Sequence, residues 1–550
     1  MENSQKNYRD WALAALSACL VLGLTFIFSL SLTSSPWAQA IPGHDSSMFI
    51  YMGREMARGG VPYLDFTDHK GISIILANAL GWLMPHVNPF GGIYFVEFLA
   101  LLAFTAVLYA LGRQVLDRPR ALLAVAVSLL LLDPLIESGN LTEVYALAGI
   151  MLTLSAYLRY FEANRLPAWS YFLVGLSGAF AFNLRANLII SWLPLIALIF
   201  VHLLVYKHLA ELKRAVAWTS LGILSFVLPV SLYLLYQGAF AEMVNFSIRF
   251  NLQYLSDSKL TTEEILTKLE EKLAFYHIPS IGIFGLLLWL VKDRGHRKTY
   301  WRLAGVLLAF GATFYSTLLS GRFYPHYFMV LVPFFSLLVI QALRLFDLKR
   351  GQGLVNLGLV VLLAYLFKYP ADIFYNRVYS VNLPEDHPTL VAKVDQLGPD
   401  FNGQLKGPGD WQWELGTDER YVWALKRSST ENKYEEASQL IVAESQPDET
   451  LYSHRIGGAF YLMTDRQAPS RYFNLPAVDL DQAEAVAQEF RSDLTQRPPQ
   501  MLVIEDKLKE RSPLDRSQVE TDFLAWIQKN YEEIDQIGEF CLYKKLPAGH

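Results

Sequence analysis

The sequence predicts a polytopic α-helical membrane protein of about eleven transmembrane helices, followed by an extracytoplasmic α/β domain. Three observations predict it. Of 550 residues 53% are hydrophobic and only 18% charged, against about 25% charged in an ordinary soluble domain. The apolar residues are concentrated, since long uncharged runs fill positions 1–370 while positions 371–550 have the composition of soluble sequence. Finally, basic residues cluster in alternate connections between the runs, the pattern that cytoplasmic loops impose.

A helical span needs about 20 mostly apolar residues. The runs that meet or approach this are 11–32, 93–112, 121–136, 143–158, 169–184, 188–206, 215–236, 277–291, 301–320, 327–343 and 353–369. The basic clusters are Lys6 and Arg9, then Arg113, Arg118 and Arg120, then Arg159 and Arg165, then Lys207, Lys213 and Arg214, then 292–302, and last Arg344, Lys349 and Arg350. Placing these in the cytoplasm puts the N-terminus there too. The short run 72–85 decides the parity. Counted as a span it would break the alternation, so it is read as an interfacial or re-entrant helix, as its length suggests. The first outer loop 34–92, the loop 237–276 and the region 371–550 then share the outer side.

Two further features bound the class. Ala38-Gln39-Ala40 imitates a signal-cleavage site, but the apolar run before it is longer than the usual 7–15-residue signal core and is kept as a true span. Cys19 lies inside a span and Cys541 near the end, so they do not form an evident pair and say nothing of redox compartment. The net charge of −5 and the scattered basic clusters give no sign of nucleic-acid binding. The expected division is a membrane module over 1–370 and a soluble domain over 371–550. In the latter, charged helices 429–442 and 481–492 alternate with apolar runs 450–453, 459–463, 501–504 and 540–543.

The chemistry-bearing residues gather in the outer connections. The stretch 44–71 holds His44, Asp45, Arg54, Arg58, Asp65, Asp68, His69 and Lys70 directly after a span, where polar groups need water, a partner or a function. Asp45, placed before Ser46-Ser47, suits the cap of a helix over 46–57, and such a cap is compatible with a chemical role. Lys70 at a helix start beside headgroups attracts phosphate or snorkels to bulk lipid. His44, His69 and the neighbouring carboxylates are of the types that hold a divalent metal, without a fixed ligand spacing. The next outer turn, 137–143, ends in Glu143, well placed for a helix N-terminus. Arg185, in a short turn between apolar spans, is costly to leave unpaired and should meet a phosphate or a carboxylate such as Glu143. The turn 320–327 carries Arg322, Tyr324 and His326, a cationic fork, a phenol and an imidazole. Tyr324 also suits an aromatic interface belt. The stretch 242–254 is amphipathic, as a surface helix on the bilayer would be.

These motifs resemble those of the GT-C superfamily of membrane glycosyltransferases, which includes protein O-mannosyltransferases and lipid A aminoarabinose transferases. An acid opens the first outer loop, Pro62-Tyr63-Leu64-Asp65-Phe66 forms a turn, and Lys70 lies just before an apolar helix. The Gly139-Asn140-Leu141-Thr142-Glu143 turn and the Arg-x-Tyr-x-His-Tyr run at 322–327 have counterparts there, and 461–473 resembles the tails of bacterial members. The resemblance implies an inverting transfer of sugar from a polyprenyl-phosphate donor to an extracytoplasmic glycan, lipid or protein. It implies Asp45 as base, with Glu143 facing the acceptor or donor. Lys70, Arg185, Arg322, Tyr324 and His326 would meet donor phosphate, and His44, Asp68 and His69 would complete the substrate loop. His69 stands where some relatives have a metal-binding acid, and Gly71-Ile72 replaces the Pro-Pro that follows the lysine in the aminoarabinose branch. Two other functions would use similar groups. A transporter or flippase of lipid-linked sugar needs ionisable groups near the midplane and often internal repeats, whereas here they lie in outer loops and no repeat is found. A polysaccharide ligase or polymerase differs only in a diphosphate-linked donor.

Overall fold

The computed structural model describes residues 2–36, 41–85, 90–137, 139–251, 263–264, 267, 297–318, 324–345, 433–475, 483–512 and 516–547. The chain divides into two compact units that interleave along the sequence: Met1–Ser31, Tyr94–Tyr236 and Asn251–Tyr375 form the first, and Leu32–Ile93, Gln237–Phe250 and Asn376–His550 the second. The boundary expected near residue 370, and the spans expected at 277–291 and 353–369, lie outside the described residues.

The first unit is a helical membrane body. Among the described residues seven helices are long and apolar enough to cross a bilayer: Asp10–Ser29, Gly91–Gly112, Arg118–Ile136, Thr142–Ala163, Ala186–Val205, Leu209–Tyr236 and Pro325–Arg344. Each matches an expected run. Two other expected spans are helices that fall short in length or in apolar composition, Ala168–Phe182 with 15 residues and Arg297–Leu318. Lipid offers no hydrophobic drive for helix association, so small residues and polar contacts hold such bodies together. Both devices are present. A Cβ on Gly175 would stand 2.1 Å from the Thr219 carbonyl oxygen and one on Gly222 2.0 Å from that of Phe172, so the backbones of Ala168–Phe182 and Leu209–Tyr236 pass in direct contact. Thr25 and Thr105 share a buried 2.8 Å hydrogen bond, Ser29 and Tyr94 one of 2.7 Å, and Thr313 donates to Ser191 at 3.0 Å. Glu97, a carboxylate inside a predicted span, is buried and accepts the Asn140 backbone N–H at 2.5 Å.

The second unit joins the first outer loop to the C-terminal sheet. Ile72–Leu83 is a 12-residue helix, too short to span, as expected. It crosses the helix His44–Ala57 at Gly53, where a Cβ would lie 2.5 Å from that of Asn78, and Trp82 donates to the Ile50 carbonyl at 2.9 Å. Four strands, β1 Leu451–Ser453, β2 Met501–Glu505, β3 Tyr531–Ile537 and β4 Phe540–Lys545, form one sheet in the order β1-β2-β4-β3. β1 and β2 are parallel; β2–β4 and β4–β3 are antiparallel. The apolar runs 450–453, 501–504 and 540–543 supply β1, β2 and β4, while the run 459–463 becomes the helix Ala459–Thr464. β3 carries Glu532, Glu533 and Asp535 on an edge of the sheet, where charge is tolerated because it discourages further pairing. That charge concealed it from a search for apolar runs. The helix Gln518–Asn530 starts in a capping box of Ser517 and Glu520, two reciprocal hydrogen bonds that fix its entry before β3.

Candidate functional site

The helix His44–Ala57 opens the second unit's polar cluster. Its N-cap is Gly43, and no side chain caps it. Asp45 therefore does not serve as the cap its position suggested. It sits inside the first turn, where a carboxylate is favoured by the helix dipole. Its side chain is 37% exposed and meets His44 Nδ1 at 3.2 Å. The other His44 ring nitrogen, Nε2, lies 3.3 Å from the carbonyl oxygen of Arg455, a residue of the C-terminal region. Crowding by surrounding atoms disfavours charge on His44, but the hydrogen bond and charge of Asp45, the Arg455 carbonyl and the Asp68 charge outweigh it, and the imidazole pKa is raised.

The other end of the loop carries a second set of charged groups. Asp68 and Lys70 are both buried. Asp68 Oδ1 accepts the Lys70 backbone N–H at 2.8 Å and lies 3.5 Å from His69 Nδ1, while Lys70 Nζ stands 2.8 Å from His69 Nε2. An ammonium has only donors, so His69 Nε2 is the acceptor in that contact. Carboxylate, imidazole and ammonium follow one another in a row. Burial alone would raise the Asp68 pKa, but the neighbouring His69 ring and then the charge and backbone N–H of Lys70 hold it below the ordinary carboxylate value. The Lys70 residue is only 7% exposed, so its cation is held within the loop rather than extended along the surface.

The C-terminal region is built onto this helix. Gly458 donates its N–H to Ser47 Oγ at 2.9 Å, and a Cβ there would stand 2.2 Å from the Ser47 carbonyl oxygen. Gly457, with φ +91°, makes the turn that L side chains rarely adopt. Arg54, fully enclosed, donates to the carbonyls of Tyr461 and Arg466 and to Asp465. Sequence reasoning missed these partners; the Gly457-Gly458 pair was the signal that backbone approaches closely there.

In the first unit, a second polar group forms where the turn 137–143 and two helix starts meet. Arg185 Nη1 donates to Glu143 Oε1 at 3.1 Å, and its guanidinium lies 4.1 Å from the centre of the Tyr327 ring. Of the two partners the sequence offered for Arg185, the carboxylate is present. His326 Nδ1 is 3.1 Å from Glu137 Oε2, and the Tyr324 and His326 rings stack 5.5 Å apart. Glu137 and Asn140 take positive φ, both 51°, and Asn140 Oδ1 accepts from Tyr145 at 2.7 Å. Arg322 lies outside the described residues. Thus the His44–Asp45 contact and the Asp68–His69–Lys70 row both belong to the second unit, and Glu143, Arg185, Tyr324 and His326 belong to the first. Among the described residues no three His, Cys, Asp or Glu side chains stand close enough to hold a metal ion.

A family model described as "Putative competence-induced protein Ccs4 N-terminal domain" matches residues 6–376. The chain belongs to this family. Among curated proteins none matches it significantly. Among solved structures, ArnT from Cupriavidus metallidurans bound to undecaprenyl phosphate is similar with a TM-score of 0.59 and 14% identity, over 98% of this chain and 98% of that one. The same protein in its apo state gives 0.56 and 13%, over 97% and 98%. This member of the Ccs4 family accordingly has the GT-C fold of a multi-pass membrane protein with a C-terminal sheet domain, as its outer-loop motifs implied.

Proposed function

We propose that this protein is a membrane glycosyltransferase that moves a sugar from a polyprenyl-phosphate donor to an extracytoplasmic acceptor, a glycan, lipid or protein. The observation that carries this reading is the first outer loop, in which a partly exposed carboxylate, Asp45, and a buried ammonium, Lys70, belong to one compact unit. The GT-C fold supports it, since the structurally similar ArnT was solved with undecaprenyl phosphate bound. In the proposed step Asp45 accepts the proton of the acceptor hydroxyl as its oxygen attacks the anomeric carbon. The bond from that carbon to the phosphate oxygen breaks with inversion, and the polyprenyl phosphate leaves with the electron pair. Lys70 offsets the charge that grows on the departing phosphate. The same reading assigns Arg185, Arg322, Tyr324 and His326 to donor phosphate, Glu143 to orienting substrate, and His44, Asp68 and His69 to supporting Asp45 and Lys70. A divalent metal enters this proposal only if transfer proves sensitive to chelation.

The direct test is incubation of the purified protein with a panel of radiolabelled polyprenyl-monophosphate sugars. Release or transfer of label from one of them is expected, and inertness towards the whole panel, with acceptors present, would refute the donor class. Lys70→Ala and Arg322→Ala should each raise the donor KM or lower kcat by roughly tenfold or more. Unchanged kinetics in both would place the donor phosphate elsewhere.

The proposed function requires the loop 34–92 and the C-terminal domain to be extracytoplasmic and the N-terminus cytoplasmic, as the alternation of basic clusters suggests. Reporter fusions at Lys213 and Gln412 should therefore report opposite sides of the membrane. The same side for both would overturn this orientation.

A further inference from the structure

We propose that Tyr63 and Ser247 form a positioning pair for Lys70, fixing the backbone from which its ammonium meets the phosphate of a polyprenyl lipid. The inference rests on the function proposed above and adds to it two residues from outside the charged cluster. Tyr63, Ser247 and the Lys70 carbonyl make a closed triangle: Tyr63 Oη to Lys70 O 3.2 Å, Ser247 Oγ to Lys70 O 3.0 Å, and Ser247 Oγ to Tyr63 Oη 3.1 Å. Two hydroxyls bring two protons to three contacts. In every arrangement that uses both protons within the triangle, at least one goes to the Lys70 carbonyl. The Lys70 N–H is held by Asp68, so the peptide groups on both sides of this residue are fixed. With its backbone pinned, the ammonium is placed by side-chain torsions alone.

Two unusual backbone features mark the segments that bring these hydroxyls to Lys70. Tyr63 has φ 71°, a conformation rare for a bulky residue and kept only where surroundings over-determine it. Here its N–H donates to the Phe66 carbonyl at 2.8 Å and its own carbonyl accepts from Arg471 at 3.0 Å. Ser247 lies in the π-helical turn Asn245–Arg249, a rare distortion that often marks a functional position. The Arg471 guanidinium also bonds Glu242, at 3.1 Å, in the helix that leads into that turn. One arginine thus secures both hydroxyl-bearing segments beneath Lys70.

The test measures binding of radiolabelled polyprenyl monophosphate to the full-length protein in lipid nanodiscs, alongside transfer kinetics. Single Tyr63→Phe or Ser247→Ala changes should weaken binding less than about threefold, because the remaining hydroxyl still serves the carbonyl. The double variant should lose about tenfold, appearing in donor KM more than in kcat. Tyr63→Phe combined with Ser247→Thr, which keeps one hydroxyl, should restore binding. In a Lys70→Ala background the double change should add nothing. Wild-type affinity in the double variant, or the same tenfold loss with Lys70 already removed, would overturn the pair's role. Lipid phosphate binding that depends on the pair without any sugar transfer would instead refute the proposed function and leave this inference standing, and wild-type protein that binds no polyprenyl monophosphate would refute both.

Discussion

Asp45→Asn is expected to give a protein that inserts, folds and binds donor but transfers sugar at least a hundredfold more slowly. An amide has nearly the shape of the carboxylate and its oxygen still accepts a hydrogen bond from His44, so the first turn of His44–Ala57 loses little. What it lacks is the basicity to take a proton from an attacking hydroxyl, a contribution of about 10²–10⁴ in rate. The measurement is single-turnover transfer with the donor that the labelled panel identifies, beside a thermal unfolding curve. Retained turnover would remove Asp45 from the mechanism; loss of turnover together with a collapsed unfolding transition would assign it a role in folding instead.

Arg54→Ala should have the largest effect on stability. This side chain is 3% exposed and donates at 2.9 Å to Glu55 Oε1, at 2.8 Å to the Tyr461 carbonyl, at 2.9 Å to the Arg466 carbonyl and at 2.9 Å to Asp465. It also lies over the Tyr51 ring at 5.0 Å. Truncation withdraws the donor from two enclosed carbonyls and leaves the Glu55 carboxylate with the weaker support of Gln467. Removing one side of a buried ionic network costs about 3–5 kcal/mol. Because the Ala459–Thr464 helix is held to His44–Ala57 by these bonds, the Arg455 contact on His44 should loosen as well. Limited proteolysis and calorimetry of the purified variant provide the check, and an unfolding temperature equal to wild type would show that the network is dispensable.

The parts of the fold that were legible in the sequence are those governed by local rules. Bilayer thickness sets the length of an apolar run, so the spans at 93–112, 121–136 and 143–158 could be read directly, and the helix Ile72–Leu83 was recognised as too short. The charged groups of the first loop were legible because charge after a span is conspicuous: His44, Asp45, Asp68, His69 and Lys70 all fall within the 28 residues 44–71, and they do lie in one unit. The pairing of Arg185 with Glu143 was legible as one of two options, since an arginine between apolar spans must find an anion. By contrast, the edge strand β3 was hidden by its own acidic residues, and the helix starts at His44, with Gly43 at the N-cap position and Asp45 inside the first turn, because helix boundaries shift by one or two residues without altering the pattern.

On its own, then, the sequence determined the class of molecule, the approximate positions of its spans and the loop where chemistry-bearing groups collect, because hydrophobic length and charge density act residue by residue. Only the tertiary structure decided that the second unit is made from three distant stretches of chain, Leu32–Ile93, Gln237–Phe250 and Asn376–His550. The contacts that build it, Gly458 on Ser47, Arg54 on the carbonyls of Tyr461 and Arg466, and Ser247 on Lys70, join residues 177 to 412 positions apart. They rest on backbone carbonyls and on the absence of a side chain, features that every residue or every glycine shares, and so carry no mark in the sequence until folding brings them together.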